Sequence, residues 1–117
     1  MIGGEPEGAT LDLVFGALAD PVRRAILLRL DSQDLLVTEL AAPFDISLQA
    51  VSRHIHVLVR AGLVIQERTG RISRCRLDTG PLLEASIWLN RYSRHWQARA
   101  DTLAMWLDAM APPHDRK

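Results

Sequence analysis

Five polar side chains share one side of a helix that the sequence predicts to begin near Ser47. At about 100° per residue they project together, whereas Val51, Ile55 and Leu58 project from the other side. The five are Gln49, Ser52, Arg53, His56 and Arg60. Glutamine can pair with adenine, arginine can donate two hydrogen bonds to guanine, and serine can bond a base or a phosphate. This side of the helix therefore has the chemistry to contact base edges in a major groove.

A second group of positive charges follows this helix. Residues 63–68 and 72–77 predict two strands joined by a tight turn, and Arg68, Arg71 and Arg74 lie around that turn. Arginines on such a hairpin can lie along phosphates or enter a narrow minor groove. An ordinary solvated surface explains most single arginines, but here the helix, its polar side and the hairpin occur together. The combination predicts an interface with double-stranded DNA.

The distribution of charge matters more than its sum. The formal net charge is zero over 117 residues. From Met1 to Ile46 acidic residues outnumber basic ones, but between Ser47 and Arg76 Glu67 is the single acid. Six arginines oppose it there: Arg53, Arg60, Arg68, Arg71, Arg74 and Arg76. A neutral chain can therefore present a basic surface to phosphates.

Composition also restricts the class of protein. Hydrophobic residues make up 48% of the chain, enough for one compact domain. The lone Cys75 forms no internal disulfide, and no apolar segment or leader indicates export or a membrane partner, so we expect a cytoplasmic protein. No nucleophile stands beside a plausible base, and no phosphate-binding glycine loop or pair of catalytic acids occurs. We therefore predict neither enzymatic activity nor a cofactor.

Caps and helical periodicity predict a mainly α fold with five helices and one small β-hairpin. Thr10, Asp20, Thr38 and Ser47 are the expected caps of the first four helices. The predicted helices cover residues 10–18, 20–30, 38–42, 47–61 and 82–110. We expect residues 1–9 and 111–117 to lack regular structure, leaving a single domain over residues 10–110.

Three segments resemble the ArsR/SmtB repressors. They are residues 15–24 (Phe-Gly-Ala-Leu-Ala-Asp-Pro-Val-Arg-Arg), residues 47–54 with 61–64, and residues 68–71 (Arg-Thr-Gly-Arg). The resemblance covers nearly all of the chain from Leu11 to Leu107. It implies a winged helix-turn-helix homodimer, paired through its first and last helices, that represses transcription until a signal releases it from DNA.

The resemblance and the residue patterns together give two sets of candidate residues. The candidate DNA contacts are Thr38, Ser47, Gln49, Ser52, Arg53, His56, Arg60, Arg68, Arg71 and Arg74. The candidate dimer contacts are Leu11, Val14, Phe15, Leu18, Trp88, Tyr92, Trp96, Leu103 and Trp106, because this apolar area exceeds what one small core can cover. Packing inside one subunit remains the alternative for each tryptophan.

The chemistry of the family's metal sensors is missing. Where thiolate sensors carry Glu-Leu-Cys-Val-Cys-Asp-Leu, this chain has Leu36 and Thr38 at the two cysteine positions. His54 and His56 point about 200° apart on their helix and cannot chelate one ion, so we predict no metal site. A small molecule or a protein could act as inducer, and the sequence does not choose. A winged-helix module that binds protein rather than specific DNA is the alternative function.

Overall fold

The computed structural model describes residues 4–97 and 99–110, in which seven α-helices, one 3-10 turn and three strands occur. The helices are α1 (Gly4–Leu18), α2 (Pro21–Leu30), α3 (Val37–Ala41), α4 (Leu48–Arg60), α5 (Gly80–Leu89), α6 (Ser93–Gln97) and α7 (Ala100–Met110), with the 3-10 turn at Asn90–Tyr92. The strands are β1 (Leu35–Leu36), β2 (Val64–Thr69) and β3 (Ile72–Leu77). The described residues include no helix that is long and apolar enough to span a bilayer.

The first two helices meet at a cap that the sequence predicts correctly. The Asp20 carboxylate accepts the Val22 N–H at 3.3 Å, and Pro21 occupies the first helical position, where its missing N–H costs nothing. The predicted start of α1 is wrong, because the helix begins at Gly4 and Thr10 lies inside it. The described part of the segment predicted to be irregular, from Gly4 onward, is therefore helical.

Helix α3 is the first helix of the helix-turn-helix pair. The predicted Thr38 cap is wrong: Leu36 is the residue before the helix, and the Glu39 carboxylate accepts the Leu36 N–H at 2.7 Å. At the other end, the Arg29 guanidinium donates to the carbonyl oxygens of Glu39 and Leu40, at 2.8 and 3.3 Å. Cationic groups stabilise the carbonyl end of a helix, so Arg29 fixes α3 to α2.

Helix α4 has the boundaries that its sequence predicts. The Ser47 hydroxyl oxygen accepts the Ala50 N–H at 3.1 Å and so satisfies one of the free donors of the first turn. Gly62 follows the helix with a φ of +78°, a left-handed conformation that favours glycine. A β-carbon at Gly62 would also lie 3.2 Å from Pro81 Cγ, so the backbone favours glycine and any larger residue would pack tightly against Pro81.

The predicted hairpin is present but belongs to a larger sheet. Strands β2 and β3 pair antiparallel up to Thr69 opposite Ile72, and Gly70 has a φ of +61° in the turn. We call these two strands and their turn the wing. Both predicted strands are confirmed, but the sequence does not predict the third strand, β1, which pairs with the other edge of β3, Leu35 opposite Cys75. The middle strand of the sheet is thus β3.

The chain divides into two units, one ending at Ala85 and one starting at Ser86. The core of the first unit contains one side of α4 together with buried residues from α1, α2, α3 and the sheet. Its largest fully buried side chains are Val14, Ile26, Leu40, Val51, Ile55, Leu58, Leu63 and Cys75. Val14 is completely buried within the chain and has no surface left for a partner. Its prediction as a dimer contact is therefore wrong, and Val14 belongs to the core of its own subunit.

The second unit differs from the single long helix that periodicity predicts. The 3-10 turn at Asn90–Tyr92 separates α5 from α6, and α7 is a further segment. Tyr92, Trp96 and Trp106 are exposed, Trp88 is half-buried, and the Trp88 and Tyr92 ring centroids are 5.7 Å apart. The side chain of Leu103 and the predicted tail at 111–117 lie outside the described residues.

Candidate nucleic-acid interface

The two sides of α4 separate as the sequence predicts. Val51, Ile55 and Leu58 are at most 1% exposed and join the core of the first unit. The five residues of the other side are all exposed: Gln49, Ser52, Arg53, His56 and Arg60. We call these five the reading side of α4. Because the opposite side of the helix is held in the core, the reading side has a fixed orientation.

A groove of about 300 Å³ lies between the start of α4, α3 and the tip of the wing. It brings together four of the predicted DNA contacts that are distant in sequence, namely Thr38, Ser52, Arg68 and Arg71. We call it the α4–wing groove. The two arginines and two hydroxyl groups of these four residues can all donate hydrogen bonds to anionic or carbonyl oxygens. The groove therefore matches the chemistry of a phosphate backbone next to base edges.

The groove also contains apolar side chains that the sequence analysis does not assign to the interface. Leu48, the first residue of α4, is 48% exposed, and Ile72, at the start of β3, is 54% exposed. Gln66 and Ser73 line the groove too, and the Gln66 amide donates to the Ser73 hydroxyl at 2.6 Å across the wing. Apolar residue types usually predict core positions, so sequence alone gives no signal that Leu48 and Ile72 are at the surface.

The wing divides its arginines between its two faces. In the register of β2 and β3, Arg68 is opposite Ser73 and shares a face with Cys75, whereas Arg74 is opposite Glu67 on the other face. Arg76 also lies on that other face, with its guanidinium 3.7 Å from the Glu67 carboxylate. The structure thus brings Arg68 and Arg71 to the α4–wing groove and does not bring Arg74 there.

Two more predicted contacts have restricted roles. Arg60 lies eleven residues after Gln49, roughly 16 Å along the helix axis. It is therefore too far from the start of α4 to contact the same bases as Gln49. Ser47 is exposed, but its hydroxyl oxygen accepts the Ala50 N–H, which leaves its proton as the free donor. Both residues remain able to contact phosphates.

A half-buried cluster that no sequence pattern predicts fixes α4 to the first two helices. The Arg23 guanidinium donates to the carbonyl oxygens of Ala17 and Gly16, at 2.7 and 3.1 Å, near the end of α1. A third nitrogen of Arg23 lies 3.1 Å from His54 Nδ1 on α4, and the Asp20 carboxylate lies 3.7 Å from the same atom. Arg23 therefore connects the end of α1 directly to α4.

A thiol or metal sensing site would require a reactive cysteine or a cluster of metal ligands. Cys75 is fully buried, and desolvation raises the pKa of its thiol above the usual range, which favours the unreactive protonated form. Among the described residues, no group of three or more histidine, cysteine or acidic side chains could hold a metal ion.

A helix-turn-helix with a fixed reading side, followed by an arginine-bearing wing, defines the class of winged-helix DNA-binding proteins. Sequence comparison agrees, because a helix-turn-helix domain profile matches residues 18–67. The chain is 33% identical over 76 residues to the transcriptional repressor SdpR of Bacillus subtilis, covering 65% of this chain and 84% of SdpR. It is 38% identical over 73 residues to the SmtB repressor homologue of Synechocystis, covering 57% of this chain and 55% of that protein.

Solved structures show the same relationship. The crystal structure of an ArsR family transcriptional regulator has 37% identity and a TM-score of 0.73, covering 77% of this chain and 93% of that one. An ArsR-like transcriptional regulator from Rhodococcus has 31% identity and a TM-score of 0.66, covering 86% and 94%. The protein belongs to the ArsR/SmtB family and is a DNA-binding transcriptional regulator.

Proposed function

We propose that this regulator is a repressor that binds an inverted-repeat operator as a homodimer. The observation that carries the proposal is the α4–wing groove, in which Ser52 of α4 meets Arg68 and Arg71 of the wing. Each subunit would insert the start of α4 into a major groove, with the two half-sites about one helical turn apart. A repressor would act by occupying such a site, as the names of the SdpR and SmtB relatives suggest.

The proposed contacts divide into two roles. Gln49 and Arg53 lie in the first half of α4, with long exposed side chains that can reach base edges, so we assign them to base recognition. Arg68 and Arg71 lie in the wing, and we assign them to phosphates or the adjacent minor groove. Thr38 and Ser52 complete the phosphate contacts. Arg74 projects from the other face of the wing and is expected to contribute less.

Exposed apolar side chains support the homodimer. In the first unit, Leu13 and Phe15 of α1 are exposed, and Leu11 and Leu18 are half-buried. In the second unit the exposed apolar side chains include Ile87, Tyr92, Trp96, Met105, Trp106, Leu107 and Met110. Apolar area of this extent usually lies in an interface. We propose that a second copy of the chain covers it, because the resemblance to the ArsR/SmtB repressors implies pairing through the first and last helices.

The signal that releases the repressor is proposed to be something other than a metal ion held by α3. At the two positions where thiolate sensors have cysteines, Leu36 and Thr38 supply no thiolate ligand. Thr38 also lines the α4–wing groove and is better placed to contact DNA. Neither catalysis nor a cofactor is part of the proposed function.

Selection of binding sites from a random duplex pool, at near-physiological salt, tests this proposal. The enriched duplex is then titrated with the parent protein and with Arg53→Ala, Arg71→Ala and the control Arg91→Ala. Arg91 is an exposed arginine of the second unit with no assigned role. We expect Arg53→Ala to lose roughly 1–3 kcal/mol on the enriched duplex, because a bidentate contact with a base is removed.

We expect Arg71→Ala to weaken binding to every duplex and to lower the salt dependence by about two units of slope, one for each wing of the dimer. Arg91→Ala should match the parent protein. The proposal is contradicted if no inverted repeat is enriched, which would favour the protein-binding module. It is also contradicted if Arg91→Ala loses as much affinity as Arg53→Ala.

A further inference from the structure

We infer that Leu48 recognises a thymine through the 5-methyl group of the base. The inference rests on the proposed insertion of α4 into the major groove. It adds an apolar contact to a reading side that otherwise works through hydrogen bonds. The observation behind it is that the exposed Leu48 side chain, at the first position of α4, lines the α4–wing groove.

The position of Leu48 puts it where base contacts are made. Residues in the first turn of a recognition helix lie nearest to the bases, and Leu48 precedes Gln49 directly. Around the helix axis Leu48 is about 40° from Ser52, so both project from the same edge of α4. Leu48 also lines the α4–wing groove with Ser52, Arg68 and Arg71. Its surface is therefore continuous with the charged groups that would hold the DNA.

The chemistry of Leu48 selects one group in the major groove. A leucine side chain neither donates nor accepts a hydrogen bond, so it cannot distinguish the polar edges of bases. The thymine 5-methyl group is the apolar feature that a base pair of unmodified DNA presents in the major groove. Gln49 is suited to adenine, and the thymine paired with an adenine, or next to it, brings a methyl group close to Leu48. Charge complementarity supplied by Arg68 and Arg71 supports DNA as the molecule that covers this leucine.

The test removes the methyl group and nothing else. In the enriched duplex, each thymine position is replaced in turn by deoxyuridine, in both half-sites at once, which keeps every hydrogen-bonding group. Burial of one methyl group corresponds to about fourfold in affinity, so two symmetric half-sites give roughly fifteenfold. We expect one thymine per half-site to show this loss with the parent protein. We expect Leu48→Ala to bind the thymine and deoxyuridine duplexes with nearly equal affinity.

Three variants make the result specific to Leu48. Leu48→Met keeps an apolar side chain at the start of α4 and should retain the preference for thymine. Leu28→Ala removes a leucine of α2 that is 76% exposed and lines no part of the α4–wing groove, so it should also retain the preference. Leu48→Ala keeps a good helix former, and its far-ultraviolet circular dichroism and non-specific DNA affinity should match those of the parent.

Each outcome has one meaning. Loss of the thymine preference in Leu48→Ala, with retention in Leu48→Met and Leu28→Ala, supports the inference. An equal preference in the parent and Leu48→Ala overturns it, because another residue then contacts the methyl group. Insensitivity of the parent to every deoxyuridine also overturns it, while specific binding to the duplex would leave the proposed operator recognition intact. If no duplex is enriched at all, the proposed function itself fails.

Discussion

Replacing Arg23 should damage both the stability of the protein and the position of α4, the helix proposed to enter the major groove. Arg23→Ala removes two charged hydrogen bonds to the Ala17 and Gly16 carbonyl oxygens and the contact with His54 Nδ1. Hydrogen bonds to charged groups contribute about 1.5–3 kcal/mol each when buried, and less when solvent reaches them. Arg23 is half-buried, so we expect a total loss of about 2–3 kcal/mol in the free energy of unfolding.

Arg24→Ala is the matched control. Arg24 is the next residue, is exposed, and donates one hydrogen bond to the Leu18 carbonyl oxygen at 2.7 Å. Its removal should cost less than about 1 kcal/mol. Urea unfolding at one fixed protein concentration measures both variants, because a dimer's stability depends on concentration. For Arg23→Ala we expect the midpoint to fall by roughly 1–2 M with an unchanged slope.

A double-mutant cycle then locates the effect at α4. If Arg23 holds α4 through His54, the costs of Arg23→Ala and His54→Ala should not add, and the coupling should be about 0.5 kcal/mol or more. At temperatures where the variant remains folded, Arg23→Ala should also bind the operator more weakly than Arg24→Ala. Equal stability losses for the two arginine variants, or additive losses with His54→Ala, would refute the assignment of Arg23 as the connection to α4.

Three further results are expected. Gly62→Ala should lose roughly 1–2 kcal/mol of stability in thermal unfolding, because the left-handed backbone and Pro81 both oppose a β-carbon. The control Gly16→Ala should be neutral or stabilising, because Gly16 lies in a helix with open space around it. The Cys75 thiol of the native protein should resist alkylation by iodoacetamide up to mildly alkaline pH, because burial raises its pKa, and should react quickly in urea. Mass spectrometry measures the extent of alkylation, and fast labelling of the native protein would contradict this prediction. Trp106→Ala should weaken dimerisation in sedimentation experiments with little loss of subunit helicity, because Trp106 is 67% exposed. An unchanged dimer would remove Trp106 from the proposed interface.

Local signals account for the parts of the fold that sequence predicts well. The Asp20-Pro21 start of α2 and the limits of α4 at Ser47 and Gly62 depend on interactions within a few residues. The same holds for the turn of the wing at Gly70. Short-range caps and positive-φ glycines act in nearly any surrounding structure, so their residue types identify them directly.

Long-range packing decides the features that sequence predicts poorly. Strand β1 contains two residues and exists because β3 offers a free edge to Leu35 and Leu36, which no local pattern reveals. The 3-10 turn at Asn90–Tyr92 contains no proline or glycine to indicate it. In the candidate site, the polar residues of α4 are predictable from helical periodicity. The exposure of Leu48 depends on where α3 and the wing lie around it.

The number of chains bound to the enriched duplex tests the central proposal most directly. Native mass spectrometry, or light scattering after chromatography, would compare the complete inverted repeat with a duplex carrying one intact half-site. We predict two chains on the complete repeat, with the half-sites about one helical turn apart, and a large loss of affinity when one half-site is scrambled. One chain per complete repeat, or equal affinity for the repeat and the single half-site, would contradict the proposal that this regulator acts as a dimer on its operator.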